Sequence, residues 1–317
     1  MDEIFLYFGI VFGTRYTLKS KKLFLAMLDH RMKLAGYKKP AYNKEYDATK
    51  RQAPQYVVYG SLKQAKTIFV APFDTCAKSF IPHYEYRPLN EAENTRCDRI
   101  NGIIELLLVL LCTGLCGLLV WLAGFDISFT SVRTLFTLLP MLVFGILIYK
   151  ITQGIPNSPN FNRNSAALTL MYALANDSVN KKNAAFVFCN DACASPEGLV
   201  RFYQDCPQSC RHKIVLLDCL AWGSELVLAH KAGRREKEVE DLRSCKGGAG
   251  LLNVSLDTEA TERSVLALLD DSLLLFSGER EGDDFIVKNT RSKKDGKLNT
   301  ERLESLRDLF LEYLACN

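Results

Sequence analysis

The sequence predicts an α/β fold with a mostly parallel sheet and helices on both faces, interrupted by a two-helix transmembrane hairpin. Two observations support this prediction. Short apolar runs rich in β-branched residues alternate with segments of helical periodicity, which is the pattern of a sheet covered on both faces. In the middle of the 317 residues, two stretches, 106–125 and 135–149, contain no charged residue.

The strands are predicted from short apolar runs and the helices from longer, periodic segments. Segment 19–34 places Leu25, Leu28 and Met32 on one broad side, and segment 165–175 is an apolar helix that Asn164 or Ser165 could cap. In chain order we predict helix 19–34, strands 55–59 and 67–71, helix 165–175, strand 184–189, helix 197–203, strands 213–217 and 225–230, helix 259–276, strand 284–288 and helix 299–314.

The two uncharged stretches are predicted to cross a membrane. About 20 apolar residues suffice for a helical span, and the second stretch covers roughly 24 Å, extended by Arg133 and Lys150, whose long side chains can reach the interfaces. A short link, 126–134, joins them. The predicted organisation is therefore 1–100 and 152–317 as two parts of one α/β domain, with 101–151 as the hairpin. The alternative is a buried hairpin in a soluble core.

The flanking charges predict the orientation of the hairpin. Arg96 and Arg99 precede it, Lys150 and Arg163 follow it, and the link contains one basic residue. Because positive residues favour the cytoplasmic side, we predict an integral membrane protein whose termini and soluble domain are cytoplasmic. Eleven cysteines, an odd number, do not resemble a disulfide framework. The apolar segment 4–13 is too short for a further span and does not resemble a signal peptide.

Charge and motifs exclude several functions. The net charge of +4 is dispersed, and the basic stretches 231–237 and 288–297 are typical of solvated loops, so we expect a lipid bilayer as partner and no nucleic acid. Neither GxxxxGK[ST] nor GxGxxG is present, so the two phosphate-binding loops that these motifs form are not expected.

Four short motifs, in order, resemble those of the zinc aminopeptidases of peptidase family M28. Residues 67–75 (TIFVAPFDT) resemble that family's strand ending in His-Tyr-Asp-Thr/Ser, and residues 162–167 (NRNSAA) its Asp-Asn-Ala-Ser-Gly. Residues 186–193 (FVFCNDAC) stand where its strand leads to Glu-Glu, and 214–219 (IVLLDC) where its strand leads to Asn-Leu-Asp. The likeness runs from about 55 to 230 and implies a zinc-exopeptidase-like fold.

The donors for a zinc pair are mostly replaced in this degenerate resemblance. Pro72 stands at the first ligand His and Arg163 at the bridging Asp. Ala192 and Cys193 stand at the general base and an adjacent ligand Glu. Asp74 and Asp218 match. Since a guanidinium cannot be deprotonated, the resemblance implies a remnant site of Asp74, Arg163 and Asp218 without catalytic residues. Arg163 would pair with Asp74 or Asp218, or lie in a solvent-facing loop.

Other donor sets remain open. An active zinc aminopeptidase with a rearranged site would use Asp74, His83 and Asp218, with Glu197 as a further donor. A structural zinc could instead be held by thiolates, and a thiol nucleophile would need Cys189 or Cys193 beside His83 or His212. The candidate thiolate ligands are Cys189, Cys193, Cys206 and Cys210, with His212 as a substitute for one of them. We expect no cofactor, or zinc if one of these alternatives holds.

The expected function is that of a membrane-anchored pseudo-peptidase, a non-catalytic module that binds or scaffolds a partner. The hairpin separates the Asp74 strand from the helix after Asn164, so the cleft is expected near the membrane. Its partner would be another membrane protein or a juxtamembrane peptide. The aromatic residues Phe80, Tyr84 and Tyr86 would either line the membrane interface or cover the cleft.

Overall fold

A computed structural model of the chain describes residues 1–47, 52–123, 132–269 and 271–316. Its strands are β1 (Ala41–Tyr42), β2 (Tyr56–Tyr59), β3 (Thr67–Pro72), β4 (Glu85–Tyr86), β5 (Ala184–Cys189), β6 (Ile214–Asp218), β7 (Glu225–Lys231), β8 (Leu251–Leu256), β9 (Leu273–Glu281) and β10 (Asp284–Lys288). Its α-helices are α1 (Asp2–Phe5), α2 (Leu18–Leu34), α3 (Glu91–Ala123), α4 (Val132–Gln153), α5 (Ala166–Asp177), α6 (Glu197–Asp205), α7 (Gln208–Arg211), α8 (Glu236–Ser244), α9 (Thr258–Arg263) and α10 (Thr300–Cys316). Leu6–Val11 and Phe161–Ser165 form π-helical turns, and Gly248–Gly250 and Val265–Ala267 form 3₁₀ turns.

The sheet is mixed, which corrects the expectation of a mostly parallel one. Strands β5, β3, β6 and β9 are parallel neighbours, whereas β1, β2, β4, β7 and β10 each pair antiparallel with a neighbour. Two residues join β9 to β10, and so short a connection can only make an antiparallel hairpin because a parallel pair needs a long crossover.

Apolar side chains cover both faces of the sheet. On one face, Phe69 stacks on Phe186 at 5.6 Å between ring centroids and meets Phe310 of α10 edge-on at 4.9 Å. The other face packs Tyr56 of β2 against Phe202 of α6. These two packed layers support the parallel strands and, with them, the residues just beyond their carboxyl ends.

One predicted element is wrong. The segment 259–276 was expected to be a single helix, but α9 ends at Arg263 and β9 begins at Leu273. Residues Leu273 to Phe276 are buried between β6 and β7. A run buried on both faces is apolar without alternation, so its periodicity does not distinguish a strand from a helix.

The hairpin region contains two helices that pack against each other, α3 and α4. Among the described residues, one helical stretch, Glu91–Leu122, is long and apolar enough to cross a membrane, and the apolar part of α4, Thr137–Gln153, is shorter. The expectation of two spans is thus supported for one helix. The link lies mostly outside the described residues. In α3 only 6% of the most apolar window is buried inside the protein, so this window is not a core helix.

Candidate functional site

The predicted site lies where β3, β5 and β6 end on the same edge of the sheet. Asp218 is the last residue of β6, and Asp74 follows β3 by two residues. Arg163 lies in the π-helical turn Phe161–Ser165, directly before α5. Tyr86 of β4 lies over this edge. Because β3, β5 and β6 run parallel, their carboxyl ends lie at one edge, and four separate parts of the sequence meet there.

Arg163 forms a buried ion pair with Asp218. Their side chains are 5% and 8% exposed. Burial alone would lower the pKa of the Arg163 guanidinium, but the charge of Asp218 and the Tyr86 phenol hold that pKa well above its usual value. The guanidinium also donates to the Cys193 carbonyl at 2.8 Å and lies 3.9 Å from the Tyr86 ring centroid. It therefore stays charged.

Tyr86 covers the ion pair between Arg163 and Asp218. Its hydroxyl donates to the second carboxylate oxygen of Asp218 at 2.8 Å, and burial raises its pKa well above the usual value. The sequence left two positions open for the aromatic residues, at the membrane interface or over the cleft. In the structure, Tyr84 and Tyr86 line the cavity at the strand ends. We call Tyr86, Arg163 and Asp218 the strand-tip cluster.

Asp74 has hydrogen-bond partners other than Arg163. Its Oδ1 accepts from the Ala192 amide at 3.0 Å, and its backbone carbonyl accepts from the Asn164 side-chain amide. Burial raises the pKa of the Asp74 carboxyl, opposed by the Ala192 hydrogen bond. Of the pairings considered from the sequence, the structure has Arg163 with Asp218, and Asp74 fixes the loop after β5.

Sequence reasoning missed Arg15, a fully buried residue that organises the loop after β3. Its guanidinium donates to the carbonyls of Phe73 at 2.6 Å and Phe8 at 2.7 Å, and to Oδ1 of Asn164 at 2.6 Å. Burial lowers its pKa to about 10. Arg15 precedes the region of family likeness, and no motif in the sequence around it predicts a role for this arginine.

Asp295, also missed, holds the turn that carries Arg163. Its two carboxylate oxygens accept from the backbone amides of Asn162 at 2.8 Å and Arg163 at 3.3 Å. Burial raises the pKa of this carboxyl well above its usual value. The sequence predicts a solvated loop over the basic stretch 288–297, whereas the single acidic residue of that stretch is buried.

The alternative donor sets do not come together. Three candidate donors are exposed, namely His83, His212 and Glu197. The four candidate thiolates are buried, namely Cys189, Cys193, Cys206 and Cys210. Cys193 faces Cys76, with their sulfurs 2.9 Å apart. Within the part of the chain that the structure describes, no three His, Cys, Asp or Glu side chains are grouped so as to hold a metal ion.

The residues at the strand ends do not fit a zinc pair. Both oxygens of Asp218 are engaged, one by Arg163 and the other by Tyr86, and a guanidinium offers no lone pair to a metal. The cavity there measures about 30 Å³, which exceeds the roughly 10–15 Å³ that one water molecule needs. Its wall includes Glu91, Asn94 and Asp98 from the first turns of α3.

Known structures with the same architecture span nearly the whole chain. Glutaminyl cyclase from Bacteroides thetaiotaomicron, bound to N-acetylhistamine, is 13% identical with a TM-score of 0.56, covering 100% of this chain and 97% of its own. Glutaminyl cyclase from Porphyromonas gingivalis is 10% identical with a TM-score of 0.53, covering 99% and 97%. A leucine aminopeptidase precursor from B. thetaiotaomicron is 13% identical with a TM-score of 0.54, covering 100% and 97%.

The chain has an aminopeptidase-like fold. This likeness supports the M28-like fold that the sequence motifs implied, and at such identities it extends to the fold alone. No family model and no curated protein sequence matches the chain. The aminopeptidase-like domain therefore shares its architecture with enzymes, while its own strand ends are occupied by the strand-tip cluster.

Proposed function

We propose that this protein is a membrane-anchored, catalytically inactive aminopeptidase-like module that binds or scaffolds a partner. One observation supports inactivity above the others. The Arg163–Asp218 ion pair, covered by Tyr86, fills the edge of the sheet where the family resemblance would put its metals. A buried pair of this kind is costly to open, because removing either partner leaves an unpaired buried charge.

The case for membrane anchoring comes from the exposed surface of α3. Leu106, Leu110 and Trp121 are 58%, 57% and 75% exposed, and they belong to one continuous apolar stretch. Such a surface in water would invite aggregation, whereas an α-helix satisfies its own backbone hydrogen bonds in lipid. The basic residues flanking the hairpin favour a cytoplasmic soluble domain and cytoplasmic termini.

The position of the cavity indicates what kind of partner it would meet. Asp98, in its wall, lies eight residues before Leu106, which is about 12 Å along the helix. Asp98 also pairs with Arg291, so the base of α3 is tied to the body. A partner at this edge would therefore be another membrane protein or a peptide segment close to the bilayer.

The competing function is that of an active zinc aminopeptidase with a rearranged site, which the shared fold alone favours. Metal analysis of the detergent-purified full chain, together with hydrolysis of aminoacyl amides before and after EDTA, separates the two. We expect less than stoichiometric zinc and no EDTA-sensitive hydrolysis. Asp271→Asn, at a surface carboxylate paired with Arg234, is the matched control for Asp218→Asn.

Two results would overturn the proposal. Two zinc ions per chain that are lost in Asp218→Asn but kept in Asp271→Asn, with EDTA-sensitive hydrolysis, would establish a metallopeptidase. One zinc ion lost in Cys206→Ser would instead establish a thiolate site.

A further inference from the structure

The N-terminal helical segment, residues 2–11, is apolar on two opposite sides. Phe5 and Phe8 are buried in the body at 5% and 1% exposure. Leu6, Ile10 and Val11 point outward and are 45%, 61% and 58% exposed. A helix that is hydrophobic all round normally has both sides covered, so the outer side of this segment calls for a partner.

Tyr16 places the end of this segment beside the base of the hairpin. Its hydroxyl donates to the carbonyl of Gln153, the last residue of α4, at 2.6 Å. After burial, the main influence raising the Tyr16 pKa is the charge of Glu105, which directly precedes the apolar stretch of α3. Tyr16 thus lies at the base of the hairpin, bonded to the end of α4 and within reach of the Glu105 charge.

The connection from Val11 to Tyr16 is short and folded. The guanidinium of Arg15 donates to the carbonyl of Phe12, and the Gly13 carbonyl accepts from the Asn160 side-chain amide. Five residues extend at most about 18 Å, and this turn holds them closer. The exposed side chains at the end of the segment therefore lie near the point where the helices meet the expected bilayer surface.

We propose that Leu6, Ile10 and Val11 form a membrane-contact patch that lies in the lipid interface beside the hairpin. This inference rests on the proposed membrane anchoring and adds a second contact to it. The patch lies toward the end of the segment that leads to Tyr16 and the base of the hairpin, whereas the acidic residues Asp2 and Glu3 lie at the other end. Helices that lie in an interface bury an apolar face in this way, and tyrosine is favoured at that depth.

Single-tryptophan variants of the full chain in lipid nanodiscs test the contact. The sequence contains two tryptophans, Trp121 in α3 and Trp222 in the body. Trp222→Phe leaves Trp121 as the reporter of the hairpin. Adding Ile10→Trp to Trp121→Phe/Trp222→Phe reports on the patch, and adding Val179→Trp instead gives the control, because Val179 is fully exposed in the loop after α5.

The readout is quenching of each tryptophan by lipids brominated along the acyl chain. We expect Trp121 and the tryptophan introduced by Ile10→Trp to lose at least about half of their emission, since interfacial helices reach the acyl boundary. The Val179→Trp control is expected to keep its emission.

The outcomes separate the two proposals. If Trp121 is quenched and the Ile10→Trp reporter is not, the patch proposal is overturned while the anchored hairpin stands. A blue-shifted but unquenched Ile10→Trp reporter would overturn it in favour of cover by protein, such as a second copy of the chain. If Trp121 itself is unquenched, the membrane anchoring fails.

Discussion

The strand-tip cluster and the apolar stretch of α3 differ in where their side chains find partners. At the strand tips, the charges of Arg163 and Asp218 are paired with each other, and Tyr86 covers them. Along α3, most of the large apolar side chains from Leu106 to Leu122 are exposed. The comparison teaches that the charged side chains at the strand ends of this protein satisfy one another inside the fold, whereas the apolar side chains of α3 are left for other molecules to cover. Interactions with other molecules are expected at the apolar surface.

The largest expected effect breaks the closed side of this comparison. Arg163→Met leaves Asp218 buried without its partner, so the free energy of unfolding should fall by about 3–5 kcal/mol. Denaturant unfolding of the soluble domain in mild detergent measures it. The double variant Arg163→Met/Asp218→Leu should recover most of the loss, because it removes both charges.

Arg263→Met is the control for this experiment, since its ion pair with Glu259 is exposed and 3.8 Å long. A near-zero change is expected there, as for most surface pairs. An Arg163→Met variant as stable as the parent would show that the ion pair does not hold the strand tips together.

A smaller effect is expected on the open side. Leu115→Asp puts a carboxylate near the middle of the apolar stretch of α3, which costs about 2.5–3.5 kcal/mol of membrane insertion. The measurement is the fraction of protein that resists alkaline carbonate extraction, which should fall while unfolding of the soluble domain is unchanged. Val179→Asp, a charge on an exposed loop, should leave extraction as it was. Equal extraction of the Leu115→Asp variant and its parent would contradict a bilayer-spanning α3.

The smallest effect is a pH dependence at the strand tips. Because the Asp74 pKa is raised in the folded protein, the folded state binds the proton more tightly than the unfolded state. That contribution to stability is complete below the unfolded pKa, near 4, and is lost as the pH rises through the folded pKa. Asp74→Asn, which keeps Oδ1 as acceptor for Ala192, should therefore gain stability relative to the parent from pH 4 toward neutrality.

Denaturant unfolding of both proteins across this range measures the difference. Asp205→Asn, at a partly exposed carboxylate paired with Arg201, is the comparison variant. A parallel pH dependence in the Asp74→Asn variant and its parent would show that Asp74 is not the titrating group.

The strands were largely predictable, and the irregular parts of the site were not. The bounds of β5 and β10 coincide with the predicted strands, and β3 and β6 differ from theirs by one residue, because each is a short apolar run of clear length. Segment 259–276 failed because the buried leucines of β9 follow a short helix without a glycine or proline between them. At the start of α5, Ser165 is the N-cap residue as predicted, but its side chain makes no capping hydrogen bond, and the Asn164 amide donates to the Asp74 carbonyl.

The amino-acid sequence by itself determined two properties of this protein. It contains an apolar stretch long enough for a helical span, and it replaces metal donors of the related motifs with Pro72 and Arg163. Only the tertiary structure decided that Arg163 pairs with Asp218 instead of Asp74, and that Arg15 and Asp295 support the turns around it. These contacts join residues 55 to 149 positions apart, and such pairings depend on which strand ends meet at the sheet edge, which local patterns do not encode.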